Sequence, residues 1–130
     1  MGEKTMTANF VLSVGQCGAD HYSISLTLRQ AFGAEVEQAA TQTEALQLLG
    51  QERFALVLVN RVFDADGDSG VDLIRQVKAD EALRAVPVLL VSNYADAQRE
   101  AVEAGAEPGF GKADLGRPEM LERVRPYLAE

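Results

Sequence analysis

Hydrophobic positions along the chain fall into two alternating patterns. Short blocks rich in Val, Leu and Phe lie at Asn9 to Val14, Phe54 to Val59 and Val86 to Val91. They run continuously rather than alternating with polar residues, which predicts strands buried on both faces of a parallel sheet. Weaker strands are predicted at Ala34 to Gln38 and Gly109 to Gly111, and their shortness and polarity suit sheet edges. Between these blocks the period is helical. Asp20 to Phe32 places Ile24, Leu28, Ala31 and Phe32 on one face, with Gly33 as a stop. Thr41 and Glu44 form a capping box ahead of Ala45, Leu48 and Leu49, with Gly50 at the end. Ser69 caps a segment carrying Leu73, Ile74 and Val77, and Asp96 to Ala104 ends at Gly105. A last helix, Pro118 to Leu128, begins with proline where a first turn tolerates it, and Pro126 should distort its final turn. The order is β-α repeated five times. That predicts a three-layer α/β domain, a (βα)5 doubly wound parallel sheet with right-handed crossovers.

Length and composition narrow this picture. At 130 residues the chain is one ordinary domain, expected over residues 9–130 behind a flexible tail of residues 1–8. Twelve Lys and Arg against 20 Asp and Glu give a net charge of -8, which repels a phosphate backbone and disfavours nucleic acid as a ligand. The single cysteine, Cys17, excludes an internal disulfide and a Cys-rich zinc site. The opening stretch MGEKTMTA is too short and polar for a signal peptide, and no apolar run approaches the roughly 20 residues that span a bilayer. A cytoplasmic protein without membrane contact is the expectation.

In open α/β sheets, functional groups gather beyond the carboxyl ends of the strands. Here those positions hold Gly15, Gln16 and Cys17; Asn60, Arg61 and the loop FDADGDSG; Ser92 and Asn93; and Lys112. The stretches FALVLVN followed by G-V-D-L-I-R, then VPVLLVSN, then AGAEPGFGK, in this order and spacing, resemble the response-regulator receiver domain of two-component signalling, the CheY-like, flavodoxin-like fold. The resemblance runs from about Asn9 to Leu128.

The resemblance implies a chemistry, and several residues depart from it. Receivers take a phosphoryl group from a histidine kinase onto an Asp at the end of the third strand, beside an acidic pair that holds Mg²⁺. In this chain the acidic pair falls on Gly15 and Gln16 and the acceptor position on Asn60, so three carboxylates are missing at once. Ser92 stands at the family's switch Ser or Thr, Lys112 at its lysine, and Gly109 at its switch aromatic. The loop from Asn60 to Gly70 is two residues longer than usual, with Phe63 at the methionine position and Asp64 replacing a proline; Ala113 replaces the proline after the lysine. The resemblance therefore implies a degenerate pseudo-receiver, not an enzyme, with no cofactor and weak or absent Mg²⁺ binding. Such a module would signal by protein contact through the surface of Asp96 to Glu103, Pro108 to Phe110 and Pro118 to Tyr127. Tyr94 and Phe110 are its candidate apolar anchors, for a partner or a second copy of the chain.

Alternatives from other classes are a phospho-accepting relay through Asp64 or Asp66, and a sensor of anions or small ligands in the vacated site. With its usual carboxylates gone, Lys112 is expected to pair with a loop carboxylate from Asp64 to Asp68 or to attract an anion. Asp64, Asp66 and Asp68 mimic a calcium loop, but Ser69 and Arg75 stand where an EF-hand needs Gly and Glu, so a solvated acidic loop is the reading. Cys17 has no second Cys and reads as structural, and His21 has no metal partners at ligand spacing and should sit at the start of the first helix.

Overall fold

A computed structural model describes residues 9–128. The expected tail, residues 1–8, lies outside the described residues. The elements are β1 (Phe10–Val14), α1 (Gly18–Phe32), β2 (Glu35–Ala39), α2 (Gln42–Gln51), β3 (Leu56–Asn60), α3 (Gly70–Ala79), β4 (Val88–Val91), α4 (Ala95–Glu103), β5 (Glu107–Phe110) and α5 (Pro118–Val124). The five strands form one parallel sheet in the order β2-β1-β3-β4-β5. The predicted α/β sandwich is what forms, and the two polar strands are its edges.

Both faces of the sheet are covered, which is why the central strands read as continuous apolar runs. Leu12, Val14, Val57, Val59, Val88 and Leu90 pack under α2, α3 and α4 with Leu49, Leu73, Ile74, Val77 and Ala101. Val11, Leu56, Leu58, Leu89 and Val91 pack under α1 and α5 with Ile24, Leu28, Phe32, Met120 and Val124. Burying each such side chain is worth about 1.5–3 kcal/mol, so these two layers dominate the stability.

Local signals set the helix ends. Thr41 Oγ1 accepts the Glu44 amide at 3.2 Å, and the Glu44 carboxylate accepts the Ala40 amide at 2.7 Å. Ser69 Oγ accepts the Asp72 amide at 3.3 Å. Gly33 ends α1 at φ 66°, in the left-handed region, with its N–H on the carbonyls of the last turn. Gly50 does not stop α2, which runs on to Gln51 and is capped at Glu52. Pro126 acts as expected: α5 ends at Val124 and a 3₁₀ turn, Arg125–Tyr127, follows.

β5 lies two residues earlier than its predicted start. Glu107 pairs with Leu89 and Phe110 with Val91, with an irregularity between them. Pro108 is tolerated there because β5 is an edge strand.

Candidate functional site

The strand order reverses between β1 and β3, so the crevice of the fold opens beyond Val14 and Asn60. Gly15 and Gln16 follow β1, and the loop between Asn60 and Gly70 rises beside them. That loop is a small hairpin: Val62 and Ser69 form an antiparallel bridge, and the Phe63 amide donates to Asp68 O at 2.9 Å. Gly67, at φ 78°, supplies the turn. The longer loop therefore folds back on itself, a hairpin that local pattern does not predict.

The hairpin carries Phe63 into the crevice, where it is buried to 1%. Gly15 is at φ 75°, and a Cβ there would lie 2.2 Å from Phe63 Cδ1. The ring occupies the space a side chain at Gly15 would need. The loop is also tied to β1, since the Asp64 amide donates to Gly15 O at 3.0 Å.

Asn60 is 5% exposed, and its Nδ2 donates to Gly15 O at 2.9 Å and Val62 O at 2.7 Å. The side chain is thus a backbone clamp between β1 and the hairpin. Gln16 is 4% exposed, and neither of its amide atoms has a hydrogen-bond partner among the described residues.

These residues do not suit a divalent cation. Hard cations take charged oxygens; here one position has no side chain, one has a neutral amide, and an aromatic ring fills the gap. Among the described residues no group of three or more His, Cys, Asp or Glu could hold a metal ion.

The β4 and β5 side of the rim is built differently. Lys112 Nζ lies 3.1 Å from Asp20 Oδ2, on the first turn of α1. The expectation that Asp64, Asp66 or another loop acid would serve Lys112 is corrected: Asp64, Asp66 and Asp68 are exposed on the hairpin, and Asp66 Oδ1 accepts the Asp68 amide. Asp20 reaches Lys112 because Cys17 caps α1, its Sγ accepting the Asp20 amide at 3.5 Å. Cys17 thus has a structural contact at the start of α1. His21 does lie in the first turn of α1; its Nδ1 is buried with no hydrogen-bond partner among the described residues, and burial pushes the imidazole below the usual histidine range.

Ser92 Oγ accepts the Tyr94 amide at 3.1 Å, and Asn93 Oδ1 accepts the Ala113 amide at 3.0 Å. That second bond explains Ala113: a proline there would have no N–H to give. Gly109 lies under Leu90, where a Cβ would meet Leu90 O at 2.0 Å, so no aromatic side chain fits on this backbone. Gln98 of α4 fills the neighbourhood instead. Its Nε2 lies 3.0 Å from Leu90 O, 3.0 Å from Ser92 O and 3.3 Å from Phe110 O, and its Oε1 accepts the Gly109 amide. The sequence pattern does not single out Gln98; the glycine opposite it is the available signal.

The two aromatic anchors separate. Tyr94 is 61% exposed, with Arg61 Cζ 4.6 Å from its ring centroid. Phe110 is 4% exposed and packs beneath α5, so it belongs to the core and is no anchor.

No protein-family model matches the chain. It is 26% identical over 104 residues to the polar-differentiation response regulator DivK of Brucella anthropi, covering 79% of this chain and 83% of that one. It is 33% identical over 82 residues to the chemotaxis protein CheY of Pseudomonas aeruginosa, 63% of each. A presumed response regulator of Chloroflexus aurantiacus superposes with a TM-score of 0.83 at 26% identity, over 94% of this chain and 98% of that one. The relatives and structural neighbours are response-regulator receiver domains, the fold is the CheY-like flavodoxin type, and homology supports a receiver domain in two-component signalling. No helix among the described residues is long and apolar enough to cross a membrane.

Proposed function

We propose that this chain is a degenerate receiver domain that signals by binding protein partners and does not accept phosphate at Asn60. The observation that carries this reading is the Phe63 ring against Gly15, in the space an acidic side chain would need. Asn60 supports it, because its amide is committed to two backbone carbonyls and is no phosphoryl nucleophile. On this reading the chain is cytoplasmic, is not an enzyme and uses no cofactor.

Partner contact would run over Asp96 to Glu103, Pro108 to Phe110 and Pro118 to Tyr127. Within it lies a groove of about 430 Å³ lined by Gln98, Arg99, Val102, Pro108 and Arg123. Val102 is exposed there and offers an apolar contact. Phe110 contributes only by holding β5 from beneath.

Incubation with acetyl phosphate and Mg²⁺, followed by intact-mass measurement, tests the reading. The expected mass is unchanged. A gain of one phosphoryl group, lost on Asp64→Ala or Asp66→Ala, would establish a relay through the loop instead.

A further inference from the structure

A second pocket, of about 410 Å³, opens beyond β3 and β4, and its lining includes Asn60, Arg61, Val62, Ser92, Tyr94 and Lys112. It carries two cations and no carboxylate, in a chain with 20 acidic residues against 12 basic. Lys112 shares its charge with Asp20, which is not part of the lining. Arg61 makes no ion pair among the described residues; its guanidinium rests on the Tyr94 ring. A guanidinium held on an aromatic face keeps a planar edge of N–H donors, the geometry that receives a carboxylate through two hydrogen bonds. Ser92 Oγ accepts from the Tyr94 amide, which leaves the hydroxyl proton free to donate. Val62 and Tyr94 are two of the four exposed large hydrophobic side chains among the described residues, and both flank this pocket.

We propose that this pocket docks an acidic side chain, Asp or Glu, from a protein partner, with an adjacent apolar residue of that partner covering Tyr94 and Val62. The inference rests on the reading of the chain as an interaction module and names one contact of that module. Charge complementarity supplies the acidic group. The exposed apolar pair favours a peptide segment over a free anion, because a small anion would leave Tyr94 and Val62 in water.

The test is a titration of ¹⁵N-labelled protein, at low ionic strength, with the peptide acetyl-Ala-Asp-Asp-Leu-Ala-amide, its Asn-for-Asp counterpart, and inorganic phosphate. Saturable amide shifts at Asn60 to Val62 and Ser92 to Tyr94 are expected with the acidic peptide. Affinity should fall about ten-fold for the Asn peptide and for Arg61→Gln, whose exposed side chain can be changed without touching the core. Tyr94→Ala, which removes both the apolar contact and the support of Arg61, should weaken the acidic peptide more than phosphate. No saturable shift, equal affinity for the two peptides, or phosphate binding as tightly as the acidic peptide would overturn the proposal. Intact mass after phosphodonor treatment is read separately, so failure of the docking site and failure of the non-phosphorylated reading stay distinguishable.

Discussion

At the ends of β1 and β3 the rim of the sheet is filled by an aromatic ring, Phe63 against Gly15; at the ends of β4 and β5 it is filled by a carboxamide, Gln98 among Leu90, Ser92, Gly109 and Phe110. In the first half Gly15, Gln16 and Asn60 carry no charge, and the gap beside Gly15 is closed by apolar burial. The second half keeps Ser92 and Lys112 and ties them to other protein groups, the Tyr94 amide and Asp20. The contrast shows two ways of filling one rim, by a ring and by a hydrogen-bonded amide. A ring stabilises through area and tolerates small shifts, whereas an amide depends on directed hydrogen bonds. The two halves should therefore break by different amounts and under different conditions.

The largest effect is expected at Phe63. Phe63→Ala should destabilise by about 3–5 kcal/mol, as for other fully buried aromatic side chains, measured by urea unfolding. Gly15→Asp in the parent background meets both the ring and a left-handed backbone. In the Phe63→Ala background the steric part vanishes, so Gly15→Asp should cost markedly less there. Strictly additive costs would show that the ring is not what bars a side chain at Gly15.

Asn60→Asp comes next. The carboxylate would face Gly15 O and Val62 O, where the amide now donates at 2.9 and 2.7 Å. An expected loss of about 2–3 kcal/mol at neutral pH follows from a buried charge facing acceptors. Burial and the two carbonyls raise the carboxyl pKa in the folded state, so the folded form binds more protons than the unfolded form above pH 3.9 or so. Stability of the variant relative to the parent then falls as pH rises through that window and recovers on acidification. Melting at pH 5 and pH 7.5 reads the sign, and a gap that is wider at pH 5 would show that Asn60 does not donate to these carbonyls.

Much of the fold was written in period and run length. Val57 and Val59 face one layer and Leu56 and Leu58 the other, so an unbroken apolar run could only be a strand covered twice. The site is legible only through the resemblance, which puts Gly15, Gln16 and Asn60 where carboxylates are expected, and all three lie at the crevice. What filled the vacancy was not legible. Phe63 reads as an ordinary apolar loop residue until the hairpin through Val62 and Ser69 turns it inward. Asp20 is four residues from Gln16 and 92 from Lys112, and only the cap on α1 shows that it meets the lysine. Phe110 is the one buried residue of an otherwise exposed or half-buried edge strand, and its place in the layer under α1 and α5 is a long-range contact that local pattern does not record. Local pattern records which faces are apolar; which long-range partner satisfies a polar group depends on register and turns.

Gln98→Leu gives the smallest of these effects and the most local one. Leucine keeps roughly the volume but removes donors from Leu90 O, Ser92 O and Phe110 O and the acceptor from the Gly109 amide. An NH₂ group has two hydrogens, so the three carbonyls share two strong bonds. Ser92 N already donates to Phe110 O, and a partly open rim lets water replace some of what is lost. The net cost should be about 1–2 kcal/mol, below that of Phe63→Ala or Asn60→Asp. Its signature is positional. Where Leu89 to Val91 meets β5 the register is irregular, and Gln98 is the side chain that bonds both strands there. Removing it should speed hydrogen exchange at Gly109 and Ser92 while leaving Asp64 and Phe63 at the other half of the rim unchanged. Exchange that quickens equally in both halves would mean that the ring and the amide close one cooperative unit rather than two independent ones.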